Sequence, residues 1–448
     1  MQLLSAISIH RLLFIAIAGS IVLRLAVLFV TPMNDADSYE QLIIARNAVS
    51  DRGFDMVWPY PPADSARAAL WQSDTIPHPS AFMPPFVPAF YTAVYAVTGP
   101  TTTGVYVGLI IQSLLGGLIP WFVFRISRRL TTERVGAYTA LASMVYIPGL
   151  VSSATPSGAI WYGVAALLVI DAAQQVYTDG RRPLLLGVAA GLLTLMRSEF
   201  MMIGIVLCLA PLLQRRWRPA LVSMICMLCV IAPWMIRNTI VMKRPVGIVS
   251  HPWREIWRGA NERASGSGYD AEGWMIWEGP RFPEIVQRLD SVPVTASFEL
   301  DADAVFRDAV MDYVRNNPQA WIVLCAKKLA MLWTIDPYYP KARNIVYIAS
   351  TMFTSAMILW GVLIAMLSGP GSKQRRARLA PLFIIGVMLS IAFMLTYVQP
   401  RYQTYVFTAM FPLVAFVINR WLRSGTEHSL HDHDYSAAAL RHSPLPPK

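Results

Sequence analysis

The chain has 448 residues, 55% of them hydrophobic and 15% charged, with a net charge of +11 and a mean hydropathy of +0.44. Soluble chains of this length carry closer to a quarter charged residues, so a soluble globular enzyme is excluded. The arginines stand between long apolar runs, so the basic excess reads as membrane topology and a nucleic-acid partner is excluded too.

A spanning helix needs about 20 apolar residues. The first apolar run follows His10 and Arg11. It is too long for a signal peptide and lacks a small-residue cleavage site, so an uncleaved span over 12–31 is expected. Nine more are expected at 103–125, 134–152, 157–177, 184–197, 199–214, 217–236, 344–367, 379–398 and 403–421. With the N-terminus in the cytoplasm, Arg125, Arg128, Arg129 and Arg134 fall inside. So do Arg181 and Arg182, then Arg215, Arg216 and Arg218, then Lys373, Arg375, Arg376 and Arg378, and finally Arg420 and Arg423. Every dense basic cluster lands on one side, as the positive-inside rule requires. A single long helix over 184–214 would invert everything after it. The expectation is an all-α, multi-pass inner (plasma) membrane protein. About ten transmembrane helices make a domain over 1–424, and a flexible tail over 425–448 leaves both termini cytoplasmic. His428, His431, Asp432, His433 and Asp434 in that tail lack a surrounding ligand cluster and are not read as a metal site.

Two long loops remain outside, at about 32–102 and 237–343. The first contains DSYEQLIIARNAV and FVPAFYTAVYAV, and the second ends in AWIVLCAKKLAMLW, broken by Lys327 and Lys328. All three are expected as helices in the membrane interface. Trp58, Trp71, Trp253, Trp257, Trp274 and Trp277 suit a headgroup-level aromatic belt. Cys208, Cys226, Cys229 and Cys325 predict small apolar packing residues, with no disulfide framework. No internal repeat and no glycine-rich phosphate loop is present.

The candidate chemistry gathers in and beside these loops. Asp35 and Asp37, in NDADSY, are two carboxylates suited to general-base work or to holding a cation. The alternative is that one of them caps the helix beginning near Ser38. Arg197 and Glu199 flank a turn, Arg237 and Asn238 end a span, and Arg401 and Tyr402 open the last one. Charges at the ends of apolar helices mark ligand paths, and arginine matches phosphate geometry.

The ordered set DADSYEQLIIARNAV, SAFMPPFVPAFYTAVYAVTG, LMRSE, APWMIRNTIVMKRPVGI, RGAN and RYQTYVFTAMFPLVA resembles bacterial GT-C glycosyltransferases. These are membrane relatives of protein O-mannosyltransferases and of the lipid A aminoarabinose transferase. The resemblance runs from about residue 12 to 421. It implies a GT-C fold and an inverting transferase that takes a hexosyl or pentosyl group from a polyprenyl-phosphate donor. The sugar passes to a hydroxyl of a lipid, glycan or protein acceptor outside the cytoplasm. Asp35, followed four residues later by Tyr39, matches the position of the family's base. Arg237 and Arg401 match positions suited to the lipid phosphate. Two positions depart from the pattern. Ala36 stands where relatives carry an acid, with Asp37 as a substitute. Met83 stands where they carry a base, with His78 or Lys243 as the replacement contact. No cofactor is required on this reading, although Asp35 and Asp37 could hold one divalent cation. The rival functions are a transporter or flippase of lipid-linked sugar, an O-antigen ligase or polymerase working on a diphosphate carrier, and a non-catalytic scaffold.

Overall fold

Apolar runs that begin at a Ser, Thr or Asn become capped helices. In the computed structural model, which describes residues 7–31, 39–50, 52–55, 80–277, 279, 281–293, 295–339, 342, 344–368 and 371–424, the Ser8 hydroxyl accepts from the Arg11 amide and opens α1 (Ile9–Val30). Then follow α2 (Glu40–Val49), α3 (Phe86–Thr98), α4 (Thr102–Gly116), α5 (Leu118–Leu130), α6 (Glu133–Met144), α7 (Ile147–Val151), α8 (Ala159–Asp179), α9 (Pro183–Met196), α10 (Phe200–Leu209) and α11 (Trp217–Met242). The chain continues through α12 (Pro252–Trp257), α13 (Pro283–Asp290), α14 (Phe298–Asn316), α15 (Pro318–Trp333), α16 (Ile345–Leu367), α17 (Lys373–Leu395) and α18 (Pro400–Met410). Among the described residues there is no β-sheet, only two isolated bridges.

Among the described residues seven helical segments are long and apolar enough to cross a membrane, and α6 with α7, bent by 57° at their junction, makes an eighth if the pair is one span. The other two expected spans are the shorter apolar helices Pro183–Met196 and Phe200–Gln214. At about 1.5 Å per residue, neither reaches the roughly 30 Å of a hydrocarbon core when upright. The chain does break between them, with Arg197 extended at φ −151°. They are therefore two helices, as expected from the sequence, and not one long helix over 184–214. A Cβ on Gly187 of α9 would come within 2.2 Å of the Ser223 carbonyl, and one on Gly191 within 2.7 Å of Val230. Small residues four apart thus let α9 lie directly on α11.

The basic ends gather at one end of the bundle. Asp171, deep in α8, accepts from Arg125 Nε and Nη2 at 3.1 and 2.9 Å and from Arg129 at 2.8 Å. Arg378 donates to the Arg129 carbonyl, and Arg216 to the carbonyls of Val176 and Tyr177. The sequence reading singled out neither Asp171 nor Arg24. Arg24 is buried within α1 and donates to the Gly149 carbonyl at 2.7 Å and to Ser153 at 2.6 Å. Each is an intramembrane charge with its partner present.

At the opposite end, parts of both long loops share one small core. Ile44 and Phe82 of the first loop pack with Trp257, Leu289, Phe298 and Phe306 of the second. The buried Glu299 carboxylate joins them further, accepting from Ser80 at 2.7 Å, the Ala81 amide at 3.0 Å and Ser250 at 2.5 Å. Helix α2 starts at Glu40 with Tyr39 at its N-cap position and no side-chain cap.

Candidate active site

Where α8, α10 and α18 begin and α9 and α17 end, the chain encloses a cavity of about 480 Å³. Glu40 and Gln41 of α2 line it, with Phe82 and Met83, Tyr162, Arg197 and Glu199. The segment around α12 adds His251, Arg254, Glu255 and Arg258, and the turn before α18 adds Tyr397, Arg401 and Tyr402. Four guanidinium groups therefore face three carboxylates.

Their pairing is uneven. Arg197 reaches Glu199 Oε1 at 2.6 Å from Nη2 and 2.8 Å from Nε, and the Tyr405 hydroxyl donates to the same oxygen at 2.8 Å. The Arg197 guanidinium lies 4.8 Å from the Tyr402 ring centroid and 5.6 Å from that of Tyr162, so its plane is fixed. Arg258 donates to the Tyr397 hydroxyl at 2.7 Å and to the Ile276 carbonyl at 2.9 Å. The Tyr397 hydroxyl donates to Glu255 Oε2 at 2.8 Å and lies 2.8 Å from the Tyr402 hydroxyl. Arg401 differs. Among the described residues its one hydrogen bond is a long one of 3.4 Å to the Tyr402 hydroxyl, and its Nε is buried without a partner. No carboxylate of the described residues pairs with it.

Burial alone would raise the Glu255 carboxyl, but Arg258, His251 and Arg254 outweigh it and hold it down at about 2. Burial is also the main reason that His251 is pushed down to about 3, with Arg254, Arg258 and Arg197 adding to it and Glu255 opposing. His251 is therefore a neutral imidazole at pH 7, stacked on Phe82 at 4.0 Å and 13°. The sign of its linkage is fixed. The unfolded chain takes up this proton near pH 6.5, the folded one near 3, so stability falls as pH drops through that window. His251→Asn is expected to flatten this part of the acid limb, measured as thermal unfolding in detergent between pH 7 and 4. An unchanged slope would refute the neutral assignment.

Arg258 also explains the RGAN segment. A Cβ on Gly259 would stand 1.7 Å from the Thr396 carbonyl oxygen. The backbones of the α12 segment and the turn after α17 touch there, which sets Arg258 against Tyr397.

Of the residues expected from sequence, the structure brings together Arg197, Glu199, Arg401 and Tyr402 at the cavity, with Tyr39 directly before Glu40. Asp35, Asp37 and His78 lie outside the described residues. Arg237 does not line the cavity. It donates to the carbonyls of Ser80 at 2.6 Å and Phe54 at 3.1 Å, and to Asn238 Oδ1 at 3.1 Å. Asn238 is buried and donates to the Gly247 carbonyl. Lys243 is exposed, at the left-handed C-cap of α11. Arg237 and Asn238 thus fasten the two loops to α11. Arg237→Met is expected to cost about 1–3 kcal/mol by stranding two carbonyls. It should lower the melting temperature while leaving the behaviour per folded molecule near wild type. Met83 lines the cavity, and the positive charge beside it comes from Arg254 and Arg258.

Sequence reasoning missed Glu40, Tyr162, His251, Arg254, Glu255, Arg258 and Tyr397. The available signal was HPWREIWRGAN, whose polar residues at 251, 254, 255 and 258 recur at helical spacing, with Trp253 and Trp257 between them. Among the described residues no group of three or more His, Cys, Asp or Glu could hold a metal ion.

No protein-family model and no curated protein matches the chain. Its backbone is similar to the Archaeoglobus fulgidus oligosaccharyltransferase solved with zinc and sulfate, at TM-score 0.50 and 15% identity, covering 96% of this chain and 51% of that one. It is similar also to the oligosaccharyltransferase AglB of Archaeoglobus fulgidus, solved with an inhibitory peptide and a dolichol-phosphate, at TM-score 0.50 and 14% identity, covering 98% and 52%. ArnT from Cupriavidus metallidurans bound to undecaprenyl phosphate overlaps at TM-score 0.39 and 14% identity, over 91% and 77%. The chain spans about half the length of the oligosaccharyltransferases it matches. The fold is that of the GT-C membrane enzymes.

Proposed function

We propose that the protein is an inverting membrane glycosyltransferase whose donor is a sugar on a polyprenyl monophosphate, and that Arg401 binds the donor phosphate. The observation carrying this reading is Arg401 itself, a guanidinium at the cavity wall with a buried unpartnered Nε and no carboxylate paired to it among the described residues. A buried charge without a partner is costly. An arriving anion removes that cost and takes up the planar donors. Among the described residues the lining carries one more guanidinium than carboxylates, so it is net basic and suits an anionic lipid headgroup. The dolichol-phosphate held by AglB, on a similar backbone, supports a lipid phosphate as the ligand class.

In this mechanism the acceptor hydroxyl loses its proton to a carboxylate, with Asp35 as the assigned base, and its oxygen attacks the anomeric carbon. The bond from that carbon to the phosphate oxygen breaks, and its electron pair stays on the phosphate, which leaves as the polyprenyl phosphate. The phosphate goes from one negative charge toward two, so Arg401 and Arg197 bind the transition state more tightly than the ground state. The leaving group is already a stable anion, so no strong general acid is needed. One displacement inverts the anomeric configuration. On this reading the cavity faces the extracytoplasmic side, opposite the basic ends of the helices.

The experiment is transfer by purified protein in vesicles supplied with undecaprenyl-phosphate-linked sugars and an envelope lipid and glycan extract, with products read by mass spectrometry. Sugar transfer with release of undecaprenyl phosphate supports the reading. Passage of intact lipid-linked sugar across the bilayer without transfer would establish the flippase instead.

A further inference from the structure

The cavity has a second polar centre, joined to Arg401 through the Tyr397 and Tyr402 hydroxyls, and it is built around one oxygen. Glu255 Oε2 is held by the Tyr397 hydroxyl at 2.8 Å. Its Oε1 is ringed at longer range, by Arg254 Nη1 at 3.5 Å, His251 Nε2 at 3.8 Å and Arg258 Nη1 at 3.9 Å. Only the first of these is at hydrogen-bond length. The Glu255 side chain keeps 29% of its surface exposed, and the residue lines the cavity. Beside it, His251 keeps 7% of its side-chain surface, also lines the cavity, and has a buried Nδ1 without a partner. Its ring lies flat on Phe82.

An ionised carboxylate with an under-coordinated oxygen, next to an imidazole with an unfilled nitrogen, is a set of acceptors awaiting donors. A carboxylate does not suit it, because it brings no proton to donate and would meet the negative Glu255 Oε1 directly. Hydroxyl groups do, since each brings one O–H and leaves the local charge unchanged. The Phe82–His251 stack supplies a flat wall against which a sugar ring can lie. We propose that Glu255 and His251 form the sugar subsite of the cavity and select a neutral, hydroxyl-bearing sugar over a uronic acid. This rests on the lipid-phosphate reading above and deepens it, dividing the cavity between a phosphate end at Arg401 and a sugar end at Glu255.

Glu255→Gln tests the division by sign. It keeps an oxygen for Tyr397 but removes a negative charge, so Coulomb's law predicts unchanged or tighter binding of a bare lipid phosphate. The sugar subsite predicts weaker binding of the glycosylated one. The measurement is affinity, in nanodiscs, for undecaprenyl phosphate alone and for undecaprenyl phosphate carrying glucose, galactose, mannose, arabinose or glucuronic acid. In the wild type at least one neutral sugar is expected to tighten binding about tenfold over the bare lipid, the worth of one hydrogen bond to a charged group. In Glu255→Gln and in His251→Leu that increment should shrink to about twofold or less, with the bare lipid bound as before or tighter. An increment that persists in both variants overturns the subsite. So does a wild type that binds the bare lipid but gains from no neutral sugar, or that prefers glucuronic acid. If wild type fails to bind undecaprenyl phosphate at all, the lipid-phosphate reading falls, and the subsite with it.

Discussion

Arg401→Gln is expected to lower kcat/KM for transfer by about 10²–10³-fold, the range seen when one donor to a developing anion is removed from a dry site. It should also weaken binding of undecaprenyl phosphate. The reason is the difference between the cavity's arginines. Arg197 is neutralised by Glu199 at 2.6 Å, and Arg258 is engaged with Tyr397 and the Ile276 carbonyl. Arg401 has, among the described residues, a single long bond to Tyr402. Removing Arg197 alone strands Glu199 beside the ligand, so its effect mixes lost attraction with new repulsion. The double variant Arg197→Gln/Glu199→Gln removes both charges and should cost less than Arg401→Gln alone. Arg401→Lys keeps the charge but loses the planar fork, so it should recover binding more than turnover. Wild-type affinity for the bare lipid phosphate in Arg401→Gln would sink the phosphate assignment, whatever happened to transfer.

How much of this site was legible in the sequence depends on where each residue sits. Residues at helix ends were visible, because a charge beside an apolar run stands out and the basic clusters fix which end it occupies. Arg197, Glu199, Arg401 and Tyr402 were found in that way, and they do meet at the cavity. Arg237 looked the same by that criterion, yet its guanidinium faces the carbonyls of Phe54 and Ser80. Helix-end position reports depth along the bundle and leaves the direction of the side chain open. The α12 residues were hidden for a different reason. A helix of six residues shows its period for barely two turns, and in a long polar loop its charges look like solvated surface. Only tertiary packing of Trp257 against Phe282 and Phe306 turns Arg254, Glu255 and Arg258 toward the cavity. Asp171 was missed because a single acid does not interrupt an apolar run, and its partners Arg125 and Arg129 are some forty residues away. The spans themselves were legible almost throughout, including the break at 197–199, because the positive-inside count requires an even number of crossings there.

Asp35→Asn is expected to leave the protein folded and to lower transfer by about 10²–10⁴-fold, the contribution of a positioned general base. The first residues described after it lead to the cavity, which Glu40 and Gln41 line. The place of Glu40 there also creates a rival, since it forms no ion pair among the described residues. The two carboxylates make opposite predictions. If Asp35 is the base, Asp35→Asn loses kcat with KM little changed, and Glu40→Gln, by removing a negative charge near Arg401, tightens lipid-phosphate binding while keeping most of kcat. If Glu40 is the base, the losses exchange. A third result is diagnostic as well. Should Asp35→Asn and Asp37→Asn each lose activity that chelation also removes from the wild type, the pair holds a divalent cation, and the proton goes to another group. Measuring kcat, KM and chelator sensitivity for the three variants therefore assigns the base, and near-wild-type turnover in Asp35→Asn rules that residue out.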